Sequence, residues 1–398
     1  MTNIGTQVQK FKQLFLDFLA NEQTSGILLI ICTAVSVALA NSPLGHTYQE
    51  FWHTTLGFDL AGIEVRQSLV HMIDDGLMTV FFLLIGLEIE REVYVGELSS
   101  LKHASLPIFA ALGGMAVPAL MHYLFNAGIP TQAGFGIPTA TDIAFALGIL
   151  GLFGNRVPLS LKVFLTALAI IDDLGAILLI AIFYVSDFSF WYLSLALGIF
   201  ALLVVLNRMR VLWLPAYLLP GAVMWYFMLK SGIHPTIVGV LLAFAIPFGG
   251  GSENFPSYRL QHALHKPVAF LIMPIFAMAN TGIVVDREAF TQLLSPNALG
   301  ILSGLVLGKP LGIALFSLLA VSLGLSQLPS MVNWKQLIAV GFLAGIGFTM
   351  SIFITLLAYN DPGTVQVSKL SILVASLIAG SLGFLILHRT TSSGPPST

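Results

Sequence analysis

Long apolar segments recur along this chain from end to end, and they constrain its fold more than any other feature. Each is about as long as a helix needs to cross a hydrocarbon core roughly 30 Å thick. Only 9% of the 398 residues are charged, whereas soluble domains carry about 25%. Because so few charges cannot cover a water-facing surface, most of the chain must face lipid or other helices. We count twelve such segments, at residues 25–41, 70–91, 104–126, 134–152, 159–184, 188–206, 211–228, 232–248, 260–281, 297–323, 336–358 and 366–388.

These segments predict an all-α polytopic membrane protein with twelve transmembrane helices, numbered here as spans 1 to 12, in a single domain covering residues 1–398. Residues 1–24 place apolar side chains on one helical face, which predicts a short interfacial helix. Residues 43–68 are too polar to cross the bilayer. Their alternation around Ala61-Gly62 predicts a β-hairpin.

Lysine and arginine are divided unevenly between the two sides of the predicted bundle. If the N-terminus is cytoplasmic, the cytoplasmic segments hold twelve of these residues and the external segments hold four. Positive residues favour the cytoplasmic side of a membrane. The count therefore predicts cytoplasmic N- and C-termini, an even number of spans and an external position for the hairpin.

The composition also bears on partners and cofactors. The formal net charge of −2 gives no sign of nucleic-acid binding. Cys32 is the only cysteine, so the chain has neither an internal disulfide nor a Cys-based metal site. His262 and His265 are spaced like metal ligands, but the sequence offers no third ligand. We therefore expect no cofactor.

Spans 4 and 11 contain residues that break a simple helix: Gly and Pro within 134–142, and three Gly within 341–351. Unwound backbone is tolerated in a membrane only where it is buried in protein or lines a cavity. Each is the middle member of a triplet, spans 3–5 and spans 10–12, and the triplets begin on opposite sides. This pattern predicts inverted repeats and a transport site at the paired breaks. The alternative is that Gly and Pro serve helix packing alone.

Four charged residues stand out inside the spans, where a charge costs about 2.5–3.5 kcal/mol even on the lenient insertion scale. Asp142 follows the break in span 4, Asp172 and Asp173 lie midway along span 5, and Lys309 lies midway along span 10. Adjacent helical residues point about 100° apart, so one aspartate can face a cation cavity while the other pairs with Lys309. Carboxylates and unwound carbonyls suit Na⁺ or Li⁺, and a carboxylate that also takes protons couples the two ions. The alternative is a structural ion pair between spans 5 and 10.

A second polar cluster is predicted at the cytoplasmic ends of spans 2 and 9. It includes Glu88, Glu90, Arg91 and Glu92, together with Arg259, Gln261, His262 and His265. Histidines near acidic residues can respond to pH between 5 and 8. The alternative is a solvated, positive-inside loop region. His234, at the external start of span 8, indicates by itself a packing or interfacial histidine.

Six motifs in the chain resemble those of the NhaA-type sodium/proton antiporters. They are residues 81–92, 138–148, 167–176, 231–234, 308–312 and 345–351. The resemblance runs from the first span to the last. It implies a transporter rather than an enzyme, with twelve helices and crossed interruptions in spans 4 and 11. It further implies electrogenic exchange of Na⁺ or Li⁺ for H⁺ across the bacterial inner membrane, activation at alkaline pH, and a part in pH homeostasis.

The same resemblance implies roles for individual residues. Asp173 would be the main cation ligand, with Asp172 either sharing that role or pairing with Lys309. Thr141 and Asp142 match the positions that balance the helix ends near the ion. The positions tied to pH response are Glu88, Arg91, Glu92, His234, His262 and His265.

Gln261 bears on the pH response implied by the resemblance, and residues 43–68 bear on assembly. Gln261 stands where the family pattern leads us to expect a glutamate, and a glutamine cannot titrate, so the pH profile is expected to differ. The family's external hairpin mediates dimers, and residues 43–68 are the matching stretch. The resemblance therefore implies a homodimer in the bilayer.

Other functions fit part of this pattern. An intramembrane aspartyl protease could use Asp142 with Asp172 or Asp173 as a catalytic dyad. That function leaves Lys309 unexplained, and the Gly-x-Gly-Asp motif is missing from the sequence. A sodium-coupled solute symporter would need a substrate cavity. A channel would need a filter motif, and we find none.

Overall fold

Helices occupy all twelve predicted segments of the chain. The structure is a computed structural model that describes residues 24–60, 63–185, 188–285 and 287–391. In span order the helical bounds are Thr24–Ala40, Leu69–Tyr94, Leu101–Phe125, Pro130–Thr139 with Ile143–Gly151, Leu159–Phe183, Phe190–Arg208, Pro215–Lys230, Ile237–Ala245, Pro256–Asn280, Pro296–Ser322, Trp334–Ala344 with Phe348–Ala358, and Pro362–Thr391.

The lengths of these helices confirm a polytopic helical membrane protein. Within the described residues, eight helices are long and apolar enough to cross a bilayer, and two more candidates are bent helix pairs. One pair is span 1 with the following helix Gly45–His53, bent by 114°, and the other is span 11, bent by 46°. Spans 7 and 8 are short, with 16 and 9 helical residues. The count of exactly twelve crossings therefore stays a prediction.

The polar stretch between spans 1 and 2 contains a helix and two strands. Helix Gly45–His53 is followed by strand β1, Thr55–Leu60, and strand β2, Ile63–Ser68. The strands are antiparallel, with Gly57 opposite Arg66. The predicted turn at Ala61-Gly62 lies outside the described residues, and so does the predicted interfacial helix, apart from Thr24.

Spans 3 and 10, the first members of the two triplets, approach each other backbone to backbone. A Cβ on Gly113 would collide with the carbonyl O of Gly312, and a Cβ on Gly312 would collide with that of Gly113. Small residues at such contacts allow membrane helices to pack closely. This contact holds span 10, with Lys309, against the first triplet.

In the part of the chain that the structure describes, three spans each contain one π-helical turn. The turns are Ile73–Leu77 in span 2, Val268–Ile272 in span 9 and Gly304–Gly308 in span 10. Turns of this kind occur frequently at functional sites, because they interrupt the regular hydrogen-bond ladder. The turn in span 10 ends immediately before Lys309.

Candidate cation site

The two interrupted helices contact each other at their breaks. The backbone N–H of Asp142, in the break of span 4, donates to the carbonyl O of Ile346, in the break of span 11, at 2.7 Å. The Ser351 hydroxyl donates to the carbonyl O of Ile137 at 2.7 Å. Unwound backbone from one span therefore satisfies unwound backbone from the other. The interruptions predicted for spans 4 and 11 are confirmed.

Asp142 lies at the N-termini of both second half-helices. Its Oδ1 accepts a hydrogen bond from the Phe145 backbone N–H at 3.1 Å. Its Oδ2 accepts from the Thr349 backbone N–H at 3.1 Å and from the Thr349 hydroxyl. Helix N-termini carry partial positive charge, so one carboxylate balances two helix ends. Asp142 is 2% exposed, which makes these partners necessary.

The C-terminal ends of the first half-helices are balanced by Lys309 and Thr141. The Lys309 ammonium donates to the carbonyl O of Thr139, the last residue of the first half of span 4, at 2.6 Å. The Thr141 hydroxyl lies 2.8 Å from the carbonyl O of Ala344, the last residue of the first half of span 11. A cation at the carbonyl end of a helix is favourable.

Asp172 and Lys309 form a fully buried ion pair. The Lys309 ammonium donates to Asp172 Oδ2, and both side chains are 0% exposed. The Thr141 hydroxyl lies 2.7 Å from the same oxygen. Of the two arrangements open to Asp172 from the sequence, the structure shows the pairing with Lys309.

Asp173 has a different environment from its neighbour. The carboxylate is 1% exposed, and among the residues that the structure describes neither of its oxygens has a hydrogen-bond partner. A buried polar group without a partner is rare and unfavourable. Asp173 lines a cavity of about 60 Å³ together with Asp142, Thr141 and Thr349. That volume suits a small cation with a few water molecules.

The same cavity reaches the polar cluster between spans 2 and 9. Glu88 and His265 line it, and His265 Nδ1 lies 3.9 Å from Glu88 Oε1. These two predicted pH-response residues therefore share a cavity with Asp173. Ser25 of span 1 also lines it and is 0% exposed.

The structure places the other predicted pH-response residues apart from the cavity lining. Arg91 Nη2 donates to Glu92 Oε1 at 3.0 Å. His262 is exposed and stacks on Tyr258, with ring centroids 6.2 Å apart. His234 lies in the segment that connects the helices of spans 7 and 8.

Several buried or partly buried polar residues were given no individual role from the sequence. Thr349 and Ser351 lie in the motif at residues 345–351, and hydroxyl side chains next to a helix break indicate possible partners for the buried carboxylates. Glu90 is 4% exposed and accepts a hydrogen bond from the Ser257 hydroxyl at 3.0 Å. Asp74 and Lys369 also lie inside helical spans, although we counted neither among the charges that stand out there.

The comparisons with known proteins extend over almost the whole chain. The sequence profile of a family described as Na+/H+ antiporter 1 matches residues 16–387. The Na(+)/H(+) antiporter NhaA of Dechloromonas aromatica is 59% identical over 382 residues, covering 95% of this chain and 96% of that protein. The protein of the same name from Flavobacterium psychrophilum is 57% identical over 378 residues, with 95% and 96% coverage. Its counterpart from Bordetella parapertussis is 48% identical over 378 residues, with 93% and 95% coverage.

Proposed function

Since the chain belongs to the Na+/H+ antiporter 1 family and is therefore a transporter rather than an enzyme, we propose that it exports Na⁺ or Li⁺ in exchange for H⁺ by competition of the ions for buried aspartates. The observation that carries this proposal is Asp173, a buried carboxylate to which no group in the described part of the chain donates a hydrogen bond, in a cavity of about 60 Å³. Such a group needs either a proton or a cation to compensate its charge.

Competition at Asp173 is enough to couple the two ions. An ionised carboxylate is a hard oxygen ligand for Na⁺, and the hydroxyl oxygens of Thr141 and Thr349 line the same cavity. A protonated carboxylate has lost that charge. If the site opens to one side of the membrane at a time, each cycle carries a cation one way and protons the other. Thr141, Asp142 and Lys309 hold the site by balancing the helix ends around it.

The size of the cavity favours an ion over a larger substrate. Pockets for organic solutes occupy about 300–1,000 Å³, whereas the cavity at Asp173 measures about 60 Å³. A sodium-coupled solute symporter would need a much larger space beside the same carboxylates. The arrangement therefore supports antiport rather than solute symport.

The distribution of Lys and Arg bears on the location of the protein in the cell, and the β-hairpin bears on its assembly. The distribution of lysine and arginine supports an inner-membrane protein with both termini in the cytoplasm. Strands β1 and β2 form a two-stranded sheet, whose outer edges can pair with another copy. We place the contact of a homodimer there.

The direct test of this function is ion exchange in liposomes. Purified protein is reconstituted with a pH-sensitive dye inside, a pH gradient is imposed, and Na⁺, Li⁺ or K⁺ is added outside. We expect proton movement with Na⁺ and Li⁺ but not with K⁺. Proton movement that is independent of Na⁺, or none at all, would contradict antiport.

We expect the exchange to be electrogenic. Asp172 and Asp173 can together bind two protons yet hold one Na⁺, so charge moves in each cycle. One elementary charge crossing 100 mV is worth about 2.3 kcal/mol. Setting the membrane potential with valinomycin and K⁺ should therefore change the initial rate severalfold, in the direction set by the potential. A rate that ignores the potential would indicate electroneutral exchange.

The alkaline pH response should move when Gln261 becomes titratable. A carboxylate from Gln261→Glu, one turn before His265, favours the protonated form of that histidine. If activity rises as the cluster loses protons, the midpoint of the activity–pH curve should move to higher pH, with the maximum rate at saturating Na⁺ unchanged. The measurement is exchange rate against pH at fixed, saturating Na⁺.

Paired histidine variants provide the control for this response. His265 lines the cavity near Glu88 and His262 is exposed. His265→Gln, alone or combined with His262→Gln, should therefore shift the midpoint, whereas His262→Gln alone should have little effect. If no variant moves the curve, and only Na⁺ concentration does, the cation site alone sets the response.

A further inference from the structure

A second buried polar network joins spans 2, 9 and 12. Asn280 Nδ2 donates to Asp74 Oδ1 at 2.7 Å, and the Lys369 ammonium donates to Asn280 Oδ1 at 3.3 Å. Asn280 is 1% exposed, and the two charged residues are partly buried. We call these three residues the Asp74 bridge. Charged side chains inside membrane spans are rare and usually mark ion pathways.

The bridge lies beyond the cation cavity, at the end away from the polar cluster. In span 2, Glu88 and Phe81 line the cavity. Asp74 is about two helical turns, roughly 10 Å, beyond Phe81 in the direction away from Glu88. In span 9, His265 and Met273 line the cavity, and Asn280 is again about two turns further along. Both helices therefore run from the polar cluster, past Asp173, to the bridge.

The local geometry of span 2 supports a role in transport. Asp74 lies in the π-helical turn Ile73–Leu77. The π-turn in span 9 supplies lining to the cavity, and the one in span 10 adjoins Lys309. Of the three π-turns among the described residues, two adjoin the cation site and the third carries Asp74.

We propose that the Asp74 bridge lines the cation passage between Asp173 and the side of the membrane opposite Glu88 and His265, and that its charges control cation entry there. Cations entering or leaving on that side pass Asp74, whose carboxylate attracts them, and Lys369, whose ammonium repels them. Asn280 fixes the relative positions of the two charged groups by hydrogen-bonding to both. Asp75, the next residue, adds a second carboxylate there, and its carbonyl O accepts a hydrogen bond from the Trp225 indole N–H at 3.1 Å. The identity of the cation rests on the proposed function.

Removing the two charges should have opposite effects, which distinguishes a passage from a structural contact. A unit charge about 10 Å away, at an effective dielectric constant of about 40, changes the local cation concentration roughly fourfold. Asp74→Asn should therefore raise the KM for Na⁺ about fourfold, and Lys369→Gln should lower it about fourfold. A contact that only holds helices together would weaken in both variants, and both would lose activity.

The experiment compares vesicles of the two orientations. Na⁺ is added to right-side-out and to everted vesicles, and proton movement is followed at several Na⁺ concentrations. We expect the opposite KM changes in the orientation that presents the bridge, unchanged KM in the other, and unchanged maximum rates. Asp361→Asn is the matched control, because it removes an exposed charge at the same end of span 12. Hydrogen bonds from the Thr364 hydroxyl and backbone N–H lower the pKa of Asp361, so the control also loses a real charge.

The outcomes separate this inference from the proposed function. Suppose that the wild type exchanges Na⁺ for H⁺. If both variants then shift the KM in the same direction, shift it equally from both sides of the membrane, or leave it unchanged, the proposed passage is wrong and antiport stands. If the wild type shows no exchange, antiport is wrong, and thiol labelling decides the passage. With Cys32→Ser removing the only native cysteine, Asn280→Cys should react with a cationic, impermeant methanethiosulfonate from one side only, and more slowly after Asp74→Asn. No reaction from either side overturns the proposal.

Discussion

Replacing Asp173 with asparagine should abolish cation exchange while leaving the protein folded. The change keeps the shape of the side chain but removes the charge that binds the cation and the group that takes up the proton. We expect the exchange rate to fall by more than about a hundredfold, equivalent to roughly 2.7 kcal/mol in the barrier. The measurement is Na⁺-driven proton movement in liposomes containing equal amounts of each protein.

Binding can be measured alongside transport for the same variant. A ligand that binds only the folded protein raises its thermal stability increasingly as the ligand concentration exceeds the Kd, so Na⁺ should raise the Tm of the wild type but not that of Asp173→Asn. The matched control is Asp361→Asn, the same substitution at an exposed position, which should keep both properties. Wild-type exchange in Asp173→Asn would rule out the proposed site.

Loss of Lys309 should destabilise the protein strongly, and a second substitution should recover part of the loss. Lys309→Ala leaves Asp172 charged and buried, and removing one partner of a buried ion pair typically costs about 3–5 kcal/mol. It also removes the hydrogen bond to the Thr139 carbonyl O. Adding Asp172→Asn eliminates the unpaired charge but not that second loss, so the rescue should be partial.

A double-mutant cycle measured by thermal or denaturant unfolding in detergent tests this pairing. The control cycle combines Asp172→Asn with Lys335→Ala, a lysine that is exposed at the start of span 11. In the control, the two effects should add. If the effects of Lys309→Ala and Asp172→Asn also add, the two residues are not energetically coupled.

The arrangement of spans and breaks could be predicted because it depends on local composition. Apolar length identifies a crossing helix, and Gly with Pro at residues 134–138 and Gly at 341–347 identify the breaks. The contact between the breaks could not be obtained that way. The hydrogen bonds from Thr349 to Asp142 join residues far apart in the sequence, and no periodic pattern indicates which hydroxyl faces which carboxylate.

The sequence predicts that Asp172 and Asp173 have different roles, but not which of them has which role. Their angular separation indicated that the two side chains face different surroundings, but which one meets Lys309 depends on the rotation of span 5 within the bundle. The Asp74 bridge was missed for a related reason. Lys369 lies near the start of predicted span 12 and is counted with the external lysines in the charge distribution, and only the packing of spans 2, 9 and 12 brings it to Asn280.

The double role of Asp142 has a mechanical consequence. Its carboxylate neutralises the positive ends of two half-helices from different repeats at once. If either half-helix rotated away alone, one buried helix end would be left with uncompensated partial charge. The two half-helices should therefore travel as one rigid body when the site changes its accessibility, and the hinge should lie in the flanking connections rather than at the crossing itself.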